Sequence, residues 1–130
     1  MFVGISAGKL GALQTEVPLT KDGSGRIFQR MLGALKLSAS DEFSIRPVLK
    51  DCYLTNFVKG RILDEKGNNR LPTRMEFDYW AESMYAEICK VNPYRIIALG
   101  DLVHRYLLEL DAVPGGYRNS SALVKAKHPR

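Results

Sequence analysis

The chain has 130 residues, of which 45% are hydrophobic and 25% are charged, as is typical of one globular domain. This composition excludes a disordered tail, a collagen-like repeat and a coiled coil. The net charge of +5, from 19 Lys and Arg against 14 Asp and Glu, is compatible with a polyanionic partner but does not require one.

The first predicted element is a buried strand, Met1–Ser6, which runs into glycine-rich sequence. By its composition the stretch from Pro18 to Gly25 is a loop. From Gly25 onward apolar side chains recur at helical spacing. This pattern predicts a helix, with Ser24 as a candidate N-cap.

Strands and helices continue to alternate along the chain. A β-branched and aromatic run predicts the second strand at Cys52–Val58, and a polar loop follows it. Thr73 is a candidate cap for the next helix, which ends at Asn92–Pro93. The apolar run Arg95–Gly100 predicts a third strand, covered on both faces. Asp101 is then positioned to cap another helix.

The last predicted strand is Ala122–His128. Strands separated by helices predict a single α/β domain over residues 1–130, with a parallel sheet and right-handed crossovers. Ligands of such sheets bind beyond the carboxyl ends of the strands. Those ends are Ser6–Gly8, Asn56–Lys59, Gly100–Asp101 and His128–Pro129.

Two features bear on the compartment. No apolar run approaches the roughly 18–20 residues that span a bilayer, and no basic flank precedes an apolar core at the N-terminus. Cys52 and Cys89 match no CxxC spacing, which indicates neither a zinc site nor a disulfide framework. We therefore expect a soluble, cytoplasmic protein in which both cysteines are buried as small hydrophobic residues.

Among candidate site residues, Asn56 is the most informative, because asparagine has a low strand propensity and yet ends a predicted strand. Its amide offers a donor and an acceptor side by side, which suits the edge of a nucleobase, and it would equally suit an ordinary loop-anchoring hydrogen bond. The first glycine-rich loop matches neither the P-loop nor the dinucleotide pattern. A lone histidine such as His128 is more often structural than catalytic, and we assign no role to His104.

Five segments in order resemble the uracil-DNA glycosylase superfamily, and their spacing is most similar to the branch whose best-known members carry an iron–sulfur cluster. The segments are GSGRIFQRML from Gly23, YLTNFVKGR from Tyr53, NNRLPT from Asn68, NPYRIIALGD from Asn92 and KHP from Lys127. The resemblance implies a three-layer α/β/α fold around a four-stranded parallel sheet. It also implies hydrolysis of the bond between uracil, or a related deaminated base, and deoxyribose in DNA.

The resemblance carries site roles onto individual residues. It positions His128 to donate to uracil O2 and Asn56 to read the Watson–Crick edge of the base, with Gly4 and Gly8 also in the substrate site. Leu19 or Thr20 falls near the place of the aromatic residue that stacks on the flipped base. Candidate contacts to the DNA backbone are Lys59, Arg61, Arg70, Lys127 and Arg130.

The sequence also departs from the family pattern. The first motif, Gly-Glu-Ala-Pro-Gly in the family, has Ile5 in the position of the polar residue that places the water, so the backbone of Ile5 and Ser6 would hold it. Gly60 and Trp80 take the places of two cluster cysteines, and we expect no iron–sulfur cluster, no metal and no other cofactor.

Relatives continue past the His-Pro of this chain, which suggests a fragment, a minimal version or a degenerate copy. We expect a monomeric glycosylase. The alternatives are a catalytically inactive relative that acts as a DNA-binding or interaction module, and a binder of small nucleotides.

Overall fold

The computed structural model describes residues 1–112 and 123–126. Its elements in chain order are β1 (Phe2–Ser6), α1 (Ala12–Thr15), α2 (Gly23–Ala34), β2 (Leu54–Val58), α3 (Arg74–Val91), β3 (Ile96–Leu99), α4 (Asp101–Ala112) and β4 (Leu123–Ala126). The predicted strands and longer helices are all present, and the first three strands are one or two residues shorter than expected. The sequence did not predict α1, because four residues are too few to show a helical period.

The four strands form one sheet in the order β2-β1-β3-β4, and every neighbouring pair is parallel. This confirms the predicted parallel α/β architecture. In the register between β1 and β2, Gly4 lies opposite Asn56 and Ser6 lies opposite Val58. The pairing therefore brings the first glycine-rich loop beside the carboxyl end of β2.

Hydrophobic clusters cover both faces of the sheet, which gives the expected three layers. On one face Phe28 and Leu32 of α2 pack with Phe2, Leu54 and Leu99. The other face is covered by α3 and α4. The hydrophobic cluster between these helices and the sheet includes Val3, Phe57, Phe77, Met84, Ile88 and Tyr106. Because successive strand residues point to opposite faces, Thr55 lies on the α3 face of β2 and Asn56 on the α2 face.

Two of the predicted helix caps differ from the structure. Asp22, not Ser24, is the N-cap of α2, and its Oδ1 accepts a hydrogen bond from Gly25 N at 2.8 Å. Asp101 is the first residue of α4 rather than the residue before it, and its carboxylate pairs with Lys125 at 2.7 Å. Asn92 ends α3 in the left-handed conformation, as a C-cap should.

The prediction that both cysteines are buried is wrong for Cys89, which is exposed, while Cys52 is partly buried. The core of α3 includes Met84 and Ile88. Cys89 follows Ile88 directly and is therefore turned by about 100° from that face. No helix among the described residues is long and apolar enough to cross a membrane.

The start of α3 is a capping box. The Thr73 hydroxyl accepts from Glu76 N, and the Glu76 carboxylate accepts from Thr73 N at 2.9 Å. Arg70 also donates to both oxygens of Glu76, at 2.7 and 3.0 Å. The hydrogen bonds from Arg70 and from the Thr73 backbone lower the pKa of Glu76 to about 2.

We expect Glu76→Gln to lower the thermal midpoint at neutral pH, by an amount that shrinks in acid. Since the folded-state pKa lies below the ordinary value of 4.5, the carboxylate stabilises the fold above pH 4.5, and this contribution is lost as the pH falls through about 2. Thermal melts of both proteins between pH 6 and pH 2 measure the difference, with Glu65→Gln as the control. A difference that stays constant over this range would contradict the prediction.

Candidate active site

A cavity of about 200 Å³ opens at the carboxyl ends of β1 and β2. Its lining residues come from four segments. These are the end of β1 and the loop after it (Ile5–Gly8 and Ala12), the start of α2 (Leu19, Asp22 and Ser24), β2 (Asn56) and the loop before α3 (Ile62, Asn69, Arg70 and Leu71). Drug-sized ligands occupy pockets of roughly 300–1,000 Å³, and this volume corresponds to roughly six waters. The cavity is therefore suited to one small ring.

Asn56 reaches this cavity from a strand, and its side chain is buried over the neighbouring strand β1. The residue is 8% exposed, and a Cβ atom added to Gly4 would lie 2.5 Å from Asn56 Oδ1. Gly4 is thus required for the close approach of the Asn56 amide. Since no described residue hydrogen-bonds to this amide, its donor and acceptor remain available to a ligand in the cavity.

A carboxylate that the sequence analysis missed also lines the cavity. While Asp22 Oδ1 caps α2, its Oδ2 lies 2.5 Å from the position of a Cβ at Gly8 and 2.6 Å from that of a Cβ at Gly11. Asn69 faces the same glycine, with Nδ2 4.0 Å from the Gly8 Cβ position. Asp22 and Asn69 therefore bring an anionic acceptor and an amide donor to Gly8. A helix-start pattern, Asp-Gly-Ser-Gly, was the available signal for Asp22.

The structure separates the two candidates for stacking on a ligand. Leu19 lines the cavity, and its carbonyl accepts from Gln29 Nε2 at 2.9 Å. Thr20 is fully buried, and its hydroxyl donates to Val17 O at 2.7 Å and contacts Thr15 Oγ1 at 2.6 Å. Thr20 is therefore part of the loop interior and does not line the cavity.

The basic residues predicted to contact DNA divide into three groups. Lys59 and Arg70 are paired within the protein, to Glu87 at 2.8 Å and to Glu76 at 2.7 Å. Arg61 is exposed, and its guanidinium has no partner among the described residues. Lys127, Arg130 and the predicted catalytic His128 lie outside the described residues.

The two positions where the family branch carries internal cysteines lie next to each other. A Cβ at Gly60 would be 3.5 Å from Trp80 Nε1, so the indole packs over the glycine. Neither residue offers a thiolate, and the described residues contain no group of three His, Cys, Asp or Glu side chains that could hold a metal. These residues do not fit an iron–sulfur cluster.

Comparisons with known proteins identify the family of this chain. The family model of the uracil DNA glycosylase superfamily matches residues 1–130. A relative from Pyrobaculum aerophilum, named type-4 uracil-DNA glycosylase, is 35% identical over 104 residues, which cover 78% of this chain and 50% of that protein. The chain thus spans about half the length of this curated relative.

Proposed function

Because the chain belongs to the uracil-DNA glycosylase superfamily, we propose that it hydrolyses the N-glycosidic bond of uracil, or of a related deaminated base, in DNA. The observation that carries this proposal is the cavity at the ends of β1 and β2. It has space for one base, and it brings the free amide of Asn56 together with the carboxylate of Asp22.

Asn56 reads the edge of the base. Its amide donates to a carbonyl oxygen and accepts from the ring N–H of uracil. Cytosine presents an exocyclic amine where uracil presents an acceptor, so its binding would leave buried polar groups unpaired. Leu19 contributes an apolar surface to the same cavity. Discrimination between uracil and cytosine thus depends on the fixed orientation of the Asn56 amide.

Asp22 and Asn69 hold the water that attacks the sugar. Ile5 provides no polar side chain at the position of the family's water-placing residue, whereas Asp22 Oδ2 reaches the cavity from the start of α2. As the bond between C1′ and the base nitrogen breaks, its electron pair leaves with the base. The water oxygen bonds to C1′, and Asp22 accepts the proton that the water loses. General-base assistance of this kind contributes about 10²–10⁴-fold.

The departing base carries negative charge, which a fixed donor stabilises in the transition state. The family resemblance gives this role to His128, as the donor to uracil O2. The base must first leave the DNA stack, which costs a few kcal/mol and is easiest in single-stranded or mispaired DNA. Contacts between basic residues and phosphates offset this cost. Arg61, Lys127 and Arg130 are the candidates.

A catalytically inactive DNA-binding module is the second candidate function. Two observations favour it: the side chain of Ile5 supplies no polar group to the cavity, and the buried Thr20 leaves Leu19 in place of a stacking aromatic. Such a module would retain DNA through its basic residues without breaking a bond.

Release of uracil from a labelled single-stranded oligonucleotide, followed by alkaline cleavage at the abasic site, distinguishes the two functions. We expect strand cleavage with the unaltered protein, and much slower cleavage with Asn56→Ala and His128→Ala. An oligonucleotide with thymine in place of uracil is the control and should stay intact. A folded protein that retains DNA and yields no cleavage would instead be the binding module.

A further inference from the structure

The ammonium group of Lys59 is held by three oxygen atoms of its own protein. Its Nζ lies 2.8 Å from Glu87 Oε1 and donates to Thr55 Oγ1 at 3.2 Å and to the carbonyl oxygen of Asn56 at 2.5 Å. An ammonium has three N–H donors, so all of them are used. Lys59 therefore binds the backbone of the residue whose side chain lines the cavity.

Glu87 organises this arrangement from helix α3. Its carboxylate accepts from Tyr53 Oη at 2.7 Å and from Thr55 Oγ1 at 2.9 Å, besides its pairing with Lys59. The Glu87 side chain is only 16% exposed. The carboxylate of Glu87 thus connects α3 to Tyr53 just before β2, to Thr55 within β2 and to Lys59 just after β2.

The charge state of Glu87 suits this role. Burial alone would raise the pKa of Glu87, but the hydrogen bonds from Lys59 and Tyr53 and the charge of Lys59 outweigh it, and the pKa lies below its usual value. The hydrogen bond to Glu87 raises the pKa of Tyr53 to about 12. At neutral pH Glu87 is consequently ionised and Tyr53 keeps its proton as a donor.

The position of β2 at the edge of the sheet explains why this network matters for Asn56. As an edge strand, β2 pairs with β1 on one side only, so the Asn56 carbonyl on the outer side has no strand partner. We propose that Glu87 and Lys59 are positioning residues, which fix the Asn56 peptide so that its amide stays aimed into the cavity. The inference rests on the proposed function of Asn56 and deepens it. It also assigns the Lys59 ammonium to partners within the protein rather than to a DNA phosphate.

Four variants test this inference. Glu87→Gln keeps the size of the side chain and removes its charge, and Lys59→Met keeps the apolar stem. Arg61→Ala removes a cation that has no partner among the described residues. Glu42→Gln is the matched control. Glu42 pairs with Arg30 at a distance of 2.6 Å, and neither residue lines the cavity. Thermal melts set a temperature at which every variant is folded.

The first readout is the single-turnover rate of uracil release at saturating protein. We expect Glu87→Gln and Lys59→Met to lower it by about 10- to 100-fold, as displaced catalytic groups do, and Glu42→Gln to leave it unchanged. In an Asn56→Ala background Glu87→Gln should cause no further loss. An equal loss in that background would overturn the inference, because Glu87 would then act independently of Asn56.

The second readout is the salt dependence of binding to single-stranded DNA. A phosphate contact contributes about 0.7 to the slope of log K against log salt. We expect Arg61→Ala to make the slope shallower by this amount and Lys59→Met to leave it unchanged. A shallower slope in Lys59→Met, with an unchanged release rate, would make Lys59 a phosphate contact and overturn the inference.

The third readout does not depend on catalysis. The side-chain amide of Asn56 gives one pair of NMR signals, identified by their loss in Asn56→Ala. We expect both signals to shift or split in Glu87→Gln and Lys59→Met, and to be unaltered in Glu42→Gln. Unaltered signals in the first two variants would overturn the inference. If the unaltered protein released no base, the proposed function would fail while this readout still decided the positioning role.

Discussion

Asp22→Asn is expected to slow the release of uracil by about 10²–10⁴-fold, the contribution of a general base, while the fold stays intact. Asn is as good an N-cap as Asp, so its side-chain oxygen can still accept from Gly25 N. The substitution therefore removes the charge at the cavity without removing the cap. Single-turnover release from a single-stranded uracil oligonucleotide measures the loss.

Two further variants separate the roles of the Asp22 carboxylate. Asp22→Ala removes charge and cap together, and should add a stability loss of about 1 kcal/mol to the same loss of rate. Asp41→Asn is the matched control, because Asp41 also accepts a backbone hydrogen bond, from Phe43 N at 2.9 Å, and does not line the cavity. If Asp22→Asn released uracil as fast as Asp41→Asn, the water would be held elsewhere.

Local sequence patterns were sufficient to predict the strands and the longer helices, and the family resemblance supplied most of the candidate site residues. A run of β-type residues and a helical period depend on neighbours in the chain, so β1, β2 and the cap at Thr73 could be predicted. Parallel pairing then required that Ser6 and Asn56 meet at one edge of the sheet. Ile5, Ser6, Gly8, Leu19 and Asn56 do line one cavity.

The partners of charged residues could not be predicted in the same way. Arg70 and Lys59 are basic residues of the kind that contact DNA phosphates. In the structure each forms a salt bridge with a glutamate of α3, Arg70 with Glu76 and Lys59 with Glu87. The choice of Glu87 as the partner depends on how α3 packs against β2, because Glu87 lies 28 positions after Lys59 in the sequence. Asp22 was missed for a different reason: the predicted N-cap was Ser24, two residues further along the chain, and the side chain of Asp22 was not considered.

The proposed role of Asn69 depends both on its local sequence and on a contact that forms only in the folded chain. Its segment is polar and rich in asparagine, which predicts a loop and no particular contact. In the folded chain Lys9 N donates to Asn69 Oδ1 at 2.8 Å. This bond joins the loop before α3 to the loop after β1 and leaves the Asn69 amide nitrogen toward Gly8. The proposed water-holding arrangement thus depends on a contact between loops that are 60 residues apart.

Gly4→Ala is expected to lower uracil release by about 100-fold, through Asn56. The added Cβ would lie 2.5 Å from Asn56 Oδ1, a distance at which one of the two must move. The backbone of Asn56 is held by its pairing with β1 and by Lys59, so the amide is the group that turns away from the cavity. Misplacement of a substrate-contacting group by about 1 Å costs rates of this order.

Gly33→Ala is the matched control for Gly4→Ala, since a Cβ at Gly33 meets nothing within 4 Å. Gly33 lies within α2, where alanine is the better helix former by roughly 1 kcal/mol, so this variant should be at least as stable and fully active. In the double variant Gly4→Ala, Asn56→Ala the clash is absent, and we expect the release rate of Asn56→Ala alone. If Gly4→Ala lowered the rate equally in both backgrounds, Gly4 would act on the base directly and not by leaving space for the amide that reads it.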